Sequence, residues 1–259
     1  MKDDLPAGAV AVVTGGDSGI GAACVEALVA AGARVALTYH SDRAAAAAVV
    51  ERCGGAERAL AIQADVADEA AVETLFAAAE RTFGRVTLLV NSAGLNMSGT
   101  RLADMGVEQF DRVLRTDLYG PFLTCRRFVR ALLAAGQRGR IVNISSIHED
   151  APRAGAVDYD SAKGGLAQLT RTLALELAPQ GIAVNGIAPG MILTPMNQRA
   201  VEDEAFRRQA ETHIPWGRAG RPEEVADLAC FLLSPAADYI TGATMTIDGG
   251  LSLVVAPGA

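Results

Sequence analysis

The chain has 259 residues and a net charge of −7, and half of its residues are hydrophobic. That length and apolar content suffice for one large buried core. The acidic balance argues against a nucleic-acid partner, whose readers carry a basic surface, and gives no support for adhesion to an anionic membrane.

The β-α alternation begins near the start. Val10–Val13 reads as a strand and runs into the Gly-rich stretch Thr14–Gly21, after which Ile20–Ala31 reads as a helix. Arg34–Tyr39 is a second strand, Asp42–Arg52 a helix and Ala59–Gln63 a third strand. Asp68 caps a helix to Phe83, with acids in its first turn, and Val86–Asn91 is a fourth strand. A long helix is expected over Thr116–Ala135, where Leu118, Phe122, Leu123, Val129, Leu132 and Leu133 recur at helical spacing. Arg140–Ile144 is a strand and Asp158–Leu177 a helix, closed by Pro179 and Gly181. Ile182–Ile187 is a strand. Pro222–Leu233 opens with Pro, Glu223 and Glu224, as helices do. Ala243–Ile247 completes the set. Near-continuous apolar strands alternating with helices imply an α/β fold, a doubly wound parallel sheet of about seven strands with helices on both faces. No linker or repeat divides the chain, so residues 1–259 are expected to form one domain.

Cys24, Cys53, Cys125 and Cys230 show neither a CxxC pair nor metal-ligand spacing. They read as reduced small side chains, and no metal site is expected. The opening MKDDLPAGAVAVV has acids and a Pro before a short apolar run, unlike a signal or transit peptide. No run of 18 apolar residues occurs. A cytoplasmic enzyme is the expectation.

Thr14–Gly21 has the form Gly-x3-Gly-x-Gly between a strand and a helix. Glycine permits unusual backbone angles and close approach to a ligand, and the helix start offers unpaired N–H groups and a positive dipole end. Together these suit a pyrophosphate; a tight turn is the plainer alternative. Tyr159 and Lys163 lie four apart on a helix and therefore share a face. An ammonium beside a phenol, whose pKa is ordinarily about 10, favours the phenolate and brings it toward a useful acid–base range. Ser146 follows a strand and can share a substrate oxygen with Tyr159.

Thr14–Gly21, Asn91-Ser92-Ala93-Gly94, Ser146, Tyr159 with Lys163, and Pro189-Gly190 stand in an order and spacing that resemble the short-chain dehydrogenase/reductase family, from about Val10 to Gly250. The resemblance implies a Rossmann-type fold, NAD(P), and hydride transfer between that dinucleotide and a carbonyl or alcohol. It implies that Tyr159 exchanges the proton, Lys163 binds the nicotinamide ribose and Ser146 positions the substrate oxygen. Gly15, Asp17, Ser18, Gly19, Ile20, Gly21, Asn91, Ala93, Gly94 and the stretch Pro189, Gly190, Ile192 and Thr194 would line the cofactor, with Asp65 and Val66 at the adenine. It also implies a homotetramer built on the long helices and the C-terminal strand. The apolar tail Leu251–Ala259 would pack at a subunit interface or fray. One position departs from the family: Asp117 stands where an Asn supports a water-linked proton path behind the lysine. Asp117 is expected to bind water there, to pair with Lys163, or only to anchor its helix.

NAD-specific members usually end the second strand with Asp. Here Tyr39 is followed by His40, Ser41, Asp42 and Arg43. The missing carboxylate removes repulsion of a 2′-phosphate, and Ser41 and Arg43 could bind one, so NADP is favoured with NAD as the alternative. Asp17 weighs the other way.

Ser145-Ser146-Ile147-His148-Glu149 and the stretch Met191–Asn197 resemble glucose 1-dehydrogenases of the family. Asn96, His148 and Glu149 would then face sugar hydroxyls, with residues 191–217 as a substrate lid. The competing enzyme reading is a 3-oxoacyl carrier-protein reductase or general carbonyl reductase, with Arg126, Arg127 and Arg130 receiving an acidic carrier. A cofactor-binding regulator with little turnover is the reading from another class.

Overall fold

Every residue of β1 (Val10–Thr14) is buried, as in a strand covered on both faces. Val10 and Val12 pack with Phe76, Phe128 and Leu132, whereas Ala11 and Val13 pack with Val25, Leu28 and Val225. Two cores on opposite faces of one strand require helices on both sides. The computed structural model describes residues 5–254.

The remaining strands are β2 (Arg34–Tyr39), β3 (Ala59–Gln63), β4 (Leu88–Asn91), β5 (Gly139–Ile144), β6 (Ile182–Pro189) and β7 (Thr244–Ile247). They form one seven-stranded sheet in the order β3-β2-β1-β4-β5-β6-β7, with every pairing parallel. The helices are α1 (Gly19–Ala30), α2 (Arg43–Arg52), α3 (Glu69–Phe83), α4 (Val107–Leu114), α5 (Gly120–Ala135), α6 (Val157–Leu177), α7 (Gln198–Glu202), α8 (Glu204–Glu211) and α9 (Pro222–Leu233). Residues of α1, α2 and α9 fill one core, and residues of α3, α5 and α6 fill the other. This is the doubly wound architecture expected from the alternation. Strand order reverses between β1 and β4, and ligands of such sheets sit beyond the carboxyl ends at that point.

The long helix is more extensive than its apolar spacing predicts. It starts at Val107, passes through one wide π-type turn over Arg115–Tyr119, and continues as α5. Pro121 has no N–H to donate to the carbonyl one turn back, and a wide turn absorbs that missing bond. Val107, Phe110, Val113 and Leu114 stand at helical spacing in α4, so this helix too carries a periodic signal, one that the expected bounds of the long helix leave out.

No disulfide joins the four cysteines among the described residues. No described helix is long and apolar enough to cross a membrane. Of the tail Leu251–Ala259, only Leu251–Val254 fall within the described residues, and Leu251, Ser252 and Val254 line the cleft at the sheet end.

Candidate active site

A cleft of about 1440 Å³ opens at the carboxyl ends of the central strands. The glycine turn forms one wall. Gly15 and Gly19 have φ of 62° and 52°, angles that other residues rarely adopt. A Cβ on Gly15 would lie 2.8 Å from the Ala93 Cα, and one on Gly21 would lie 2.0 Å from the Gly15 carbonyl oxygen. The turn is also tied to its neighbours. The Gly15 N–H donates to the Thr38 hydroxyl at 2.9 Å. The Thr14 hydroxyl accepts from the N–H groups of Ser92 and Ala93 at 3.0 and 3.1 Å. Ser18 precedes α1 without capping it through its side chain. The first-turn amides therefore keep donors for an anion. This cradle fits a dinucleotide pyrophosphate.

The opposite wall carries Ser146, Tyr159 and Lys163, which all line the same cleft. Their exposures are 6%, 6% and 5%, respectively, so each is buried except for a small area. Ser146 ends the run from β5, and its Oγ accepts from the His148 N–H at 3.2 Å. Tyr159 and Lys163 sit on α6, with the Lys163 Nζ 5.4 Å from the phenol ring centre. His148 meets the Tyr159 ring edge-on with centroids 6.2 Å apart. The His148 Nδ1 lies 2.8 Å from the Ala151 carbonyl. The carbonyl can only accept, so Nδ1 carries the proton and Nε2 is left as an acceptor in the neutral ring.

Beneath this wall, Asp117 is fully buried in the wide helical turn. Its Oδ1 accepts from the Leu95 N–H at 2.7 Å, and its Oδ2 lies 3.1 Å from the Lys163 Nζ. That second contact is ionic rather than an aligned hydrogen bond. The Nζ also donates to the Ile144 carbonyl at 3.2 Å. Burial opposes the charge of Lys163, but Asp117 first and Tyr159 next outweigh it, and the ammonium sits above the ordinary lysine range. Burial pushes the Asp117 carboxyl up, against Lys163 and the Leu95 N–H. The ion pair is the resident form, because the Ile144 carbonyl and the phenol also favour the ammonium. Of the three arrangements expected for Asp117, direct pairing with Lys163 is the one observed.

Most residues expected around the dinucleotide meet in this cleft: Gly15, Asp17–Gly21, His40, Ser41, Asp65, Val66, Ala93, Gly94, Pro189, Gly190, Ile192 and Thr194. Four expected residues stand elsewhere. Tyr39 packs into the hydrophobic core. Arg43 begins α2 on the exposed surface and does not line the cleft. The Asn91 side chain turns behind the cleft floor, donating to the Asn143 Oδ1 at 2.8 Å and accepting from the Thr124 hydroxyl at 2.6 Å. Glu149 does not line the cleft: its carboxyl is buried with Ser145 and Thr244 beside it, and the residue borders a smaller neighbouring pocket. Asn96 and His148 do line the cleft, although the Asn96 Oδ1 is taken by the Ser98 N–H at 3.1 Å.

Several positioning groups have no sequence signal. Asp158 is fully buried. Its Oδ1 accepts from the Tyr159 N–H and its Oδ2 from the Gln109 amide, both at 2.8 Å. The Gln109 amide also donates to the Met97 carbonyl at 3.0 Å, which ties α4, the loop after β4 and the start of α6 together. An Asp in a helical first turn ordinarily reads as a solvated cap, and only the packing of α4 on α6 makes it interior.

The family model described as Enoyl-(Acyl carrier protein) reductase matches residues 15–252. The chain is 42% identical to 3beta-hydroxysteroid dehydrogenase 1 of Eggerthella lenta, over 98% of this chain and 97% of the relative. It is 37% identical to glucose 1-dehydrogenase 2 of Bacillus subtilis, over 98% of each. A solved mutant short-chain dehydrogenase/reductase of Serratia marcescens superposes with a TM-score of 0.87 at 37% identity, covering 96% of this chain and 99% of that one. With the fold, the glycine cradle and these relatives in agreement, the chain belongs to the short-chain dehydrogenase/reductase family, oxidoreductases that pass a hydride between NAD(P) and an alcohol or carbonyl group.

Proposed function

We propose that Tyr159 exchanges the proton with the substrate oxygen, that Ser146 holds that oxygen, and that Lys163 sets its ammonium beside the phenol and would bind the nicotinamide ribose. The observation that supports this reading is their convergence on one wall of the cleft, with the ammonium 5.4 Å from the phenol ring. The dinucleotide, when bound, supplies or takes the hydride. The Gly15–Gly21 cradle would hold its pyrophosphate, Asp65 and Val66 its adenine, and the Pro189–Thr194 stretch its nicotinamide end. Ser146 keeps a hydroxyl hydrogen for the substrate oxygen, because its Oγ already accepts from the His148 N–H. The Lys163 ammonium stabilises the phenolate that forms when Tyr159 gives up its proton. Asp117 holds that ammonium in place from below.

The favoured dinucleotide is NADP, with NAD as the alternative. Support now rests on His40 and Ser41, since Tyr39 and Arg43 do not face the cleft. His40→Asp would place a carboxylate beside the 2′-phosphate and should raise the KM for NADPH at least tenfold while sparing NADH. An unchanged ratio would count against NADP.

The substrate we favour is a hydroxylated small molecule of the sugar class, with His148 as a hydrogen-bond acceptor and residues 191–217 as the lid of a single-domain enzyme. The carrier-protein reading loses part of its basis: Arg127 is engaged by Glu73 and Glu80 at 2.7 and 2.8 Å, and Arg126 pairs with Glu69. A homotetramer in the cytoplasm completes the reading. The test is a substrate panel with both dinucleotides on wild type and on Tyr159→Phe. Retention of most activity by the Phe variant would overturn the mechanism.

A further inference from the structure

Charge is unevenly spread around the cleft. The α4 wall is balanced, with Glu108 and Asp111 against Arg112 and Arg115. The glycine-turn side carries Asp17 and Asp65. The other side is built by the segment after β5 and by the lid after β6. Its ionisable residues, apart from Tyr159 and the paired Lys163, are His148, Arg153, Arg199 and His213, with no carboxylate among them.

The lid explains this imbalance through its own bonds. Glu202 accepts from the Gln198 amide at 2.7 Å, and Asp203 accepts from the Phe206 N–H at 2.9 Å. Glu204 pairs with Arg208. Glu211 accepts from the Ala219 N–H at 3.0 Å, and Arg207 donates to the Ala200 carbonyl at 3.5 Å. Each lid carboxylate is thus occupied away from the cavity. Arg199 is the cation left over. Its guanidinium lies 4.1 Å above the Phe206 ring, and both residues line the cleft. Among the described residues it has no ion pair or side-chain hydrogen bond. Stacking fixes the plane of the fork and leaves its N–H donors for a ligand. Arg153, also on the cleft, has no ion pair among the described residues either.

We propose that the substrate is a hydroxylated carboxylate, and that Arg199, assisted by Arg153, receives its carboxylate while Ser146 and Tyr159 take the reacting oxygen. The proposal rests on the sugar-class reading and narrows it from neutral sugars to sugar acids. A planar guanidinium fork matches a carboxylate through two parallel hydrogen bonds. A neutral sugar would leave that fork unmatched.

The experiment compares D-glucose, D-glucuronate and D-glucose 6-phosphate, which share one ring and differ at carbon six. Each is titrated calorimetrically into the enzyme saturated with NADP⁺ and assayed for oxidation, on wild type and on Arg199→Met. We expect glucuronate to bind at least tenfold more tightly than glucose. Arg199→Met should remove that advantage, raising the glucuronate Kd about 10- to 100-fold, the worth of a charge-assisted bond, and leaving glucose and NADP⁺ affinity unchanged. Equal binding of glucose and glucuronate would overturn the proposal, as would a stronger preference for the phosphate. A loss of NADP⁺ affinity in Arg199→Met would overturn it too, by assigning the arginine to the dinucleotide. Binding of glucuronate through Arg199 without oxidation of any sugar would sustain the anion site and count against the sugar-oxidation reading instead.

Discussion

Replacing Asp117 by Ala should expose how much the buried ion pair carries. Asp117 is fully buried, Lys163 is 5% exposed, and their charged atoms lie 3.1 Å apart. At that distance the attraction is about 5 kcal/mol with an effective dielectric near 20, largely offset by the cost of burying both ions. Removing one partner is not offset: it strands the ammonium, at about 3–5 kcal/mol. The Leu95 N–H also loses its acceptor, at about 1–3 kcal/mol. Lys163 can recover part of this by giving up its proton, so a net loss of about 3–5 kcal/mol is expected, or on the order of 10 °C in Tm. Asp117→Asn keeps an oxygen for the Leu95 N–H and should lose less than the Ala variant. The sign with pH follows from the raised lysine. Its stabilisation is present below the ordinary value of 10.5 and is lost as pH rises through the higher folded value. The lysine's part of the gap between wild type and Asp117→Ala should therefore hold near neutrality and close only in strong alkali, whereas the raised Asp117 carboxyl withdraws its own part as pH rises from acid through its folded value. The assay is urea unfolding at a series of pH values, together with the pH–rate profile. An Ala variant within 1 kcal/mol of wild type, or equal to the Asn variant, would refute this account.

Two other outcomes can be checked directly. Burial raises the Glu149 carboxyl above its ordinary 4.5, against the opposing pull of Ser145 and Thr244, and its buried Oε2 has no hydrogen-bond partner among the described residues. The folded state thus holds a proton more firmly than the unfolded chain. Stability from this group is present below pH 4.5 and falls as pH rises through the folded value; Glu149→Gln should flatten that fall and stabilise the protein at pH 7, whereas a steeper fall would show that the carboxylate is favoured. Gly21→Ala would force a Cβ to within 2.0 Å of the Gly15 carbonyl oxygen, so the turn must shift. Dinucleotide affinity, read by fluorescence titration, should drop at least tenfold, and an unchanged affinity would show that the cradle tolerates the shift.

The seven strands and most helices were legible because their signals are local. Buried parallel strands are nearly all apolar, as in Val10–Val13 and Leu88–Val90, and the long helices repeat their apolar residues every three or four positions. The segments that carry the glycine turn, Ser146, Tyr159 and Lys163 stand out in the sequence for the same reason, and the structure brings them to one cleft. Gly21 was recognisable as glycine, but the oxygen that makes it obligatory belongs to Gly15 across the turn. Arg43 and Glu149 read as site residues from their places in the chain, yet one starts an exposed helix and the other buries its carboxyl beside Ser145 and Thr244. Side-chain direction in a turn depends on backbone angles that residue type does not dictate.

The sequence by itself determined the layered fold and the wall that carries Tyr159, because both rest on periodicity and on contacts within one turn of helix. Only the tertiary structure decided what stands behind and across from that wall. Asp117 and Lys163 are 46 residues apart, and Gln109 and Asp158 are 49 apart. Their pairing depends on α4 and its wide turn packing against α6. The cationic face around Arg199 likewise exists because donors within the segment after β6 and beside it draw its carboxylates away, an arrangement that composition alone, acidic overall, does not reveal.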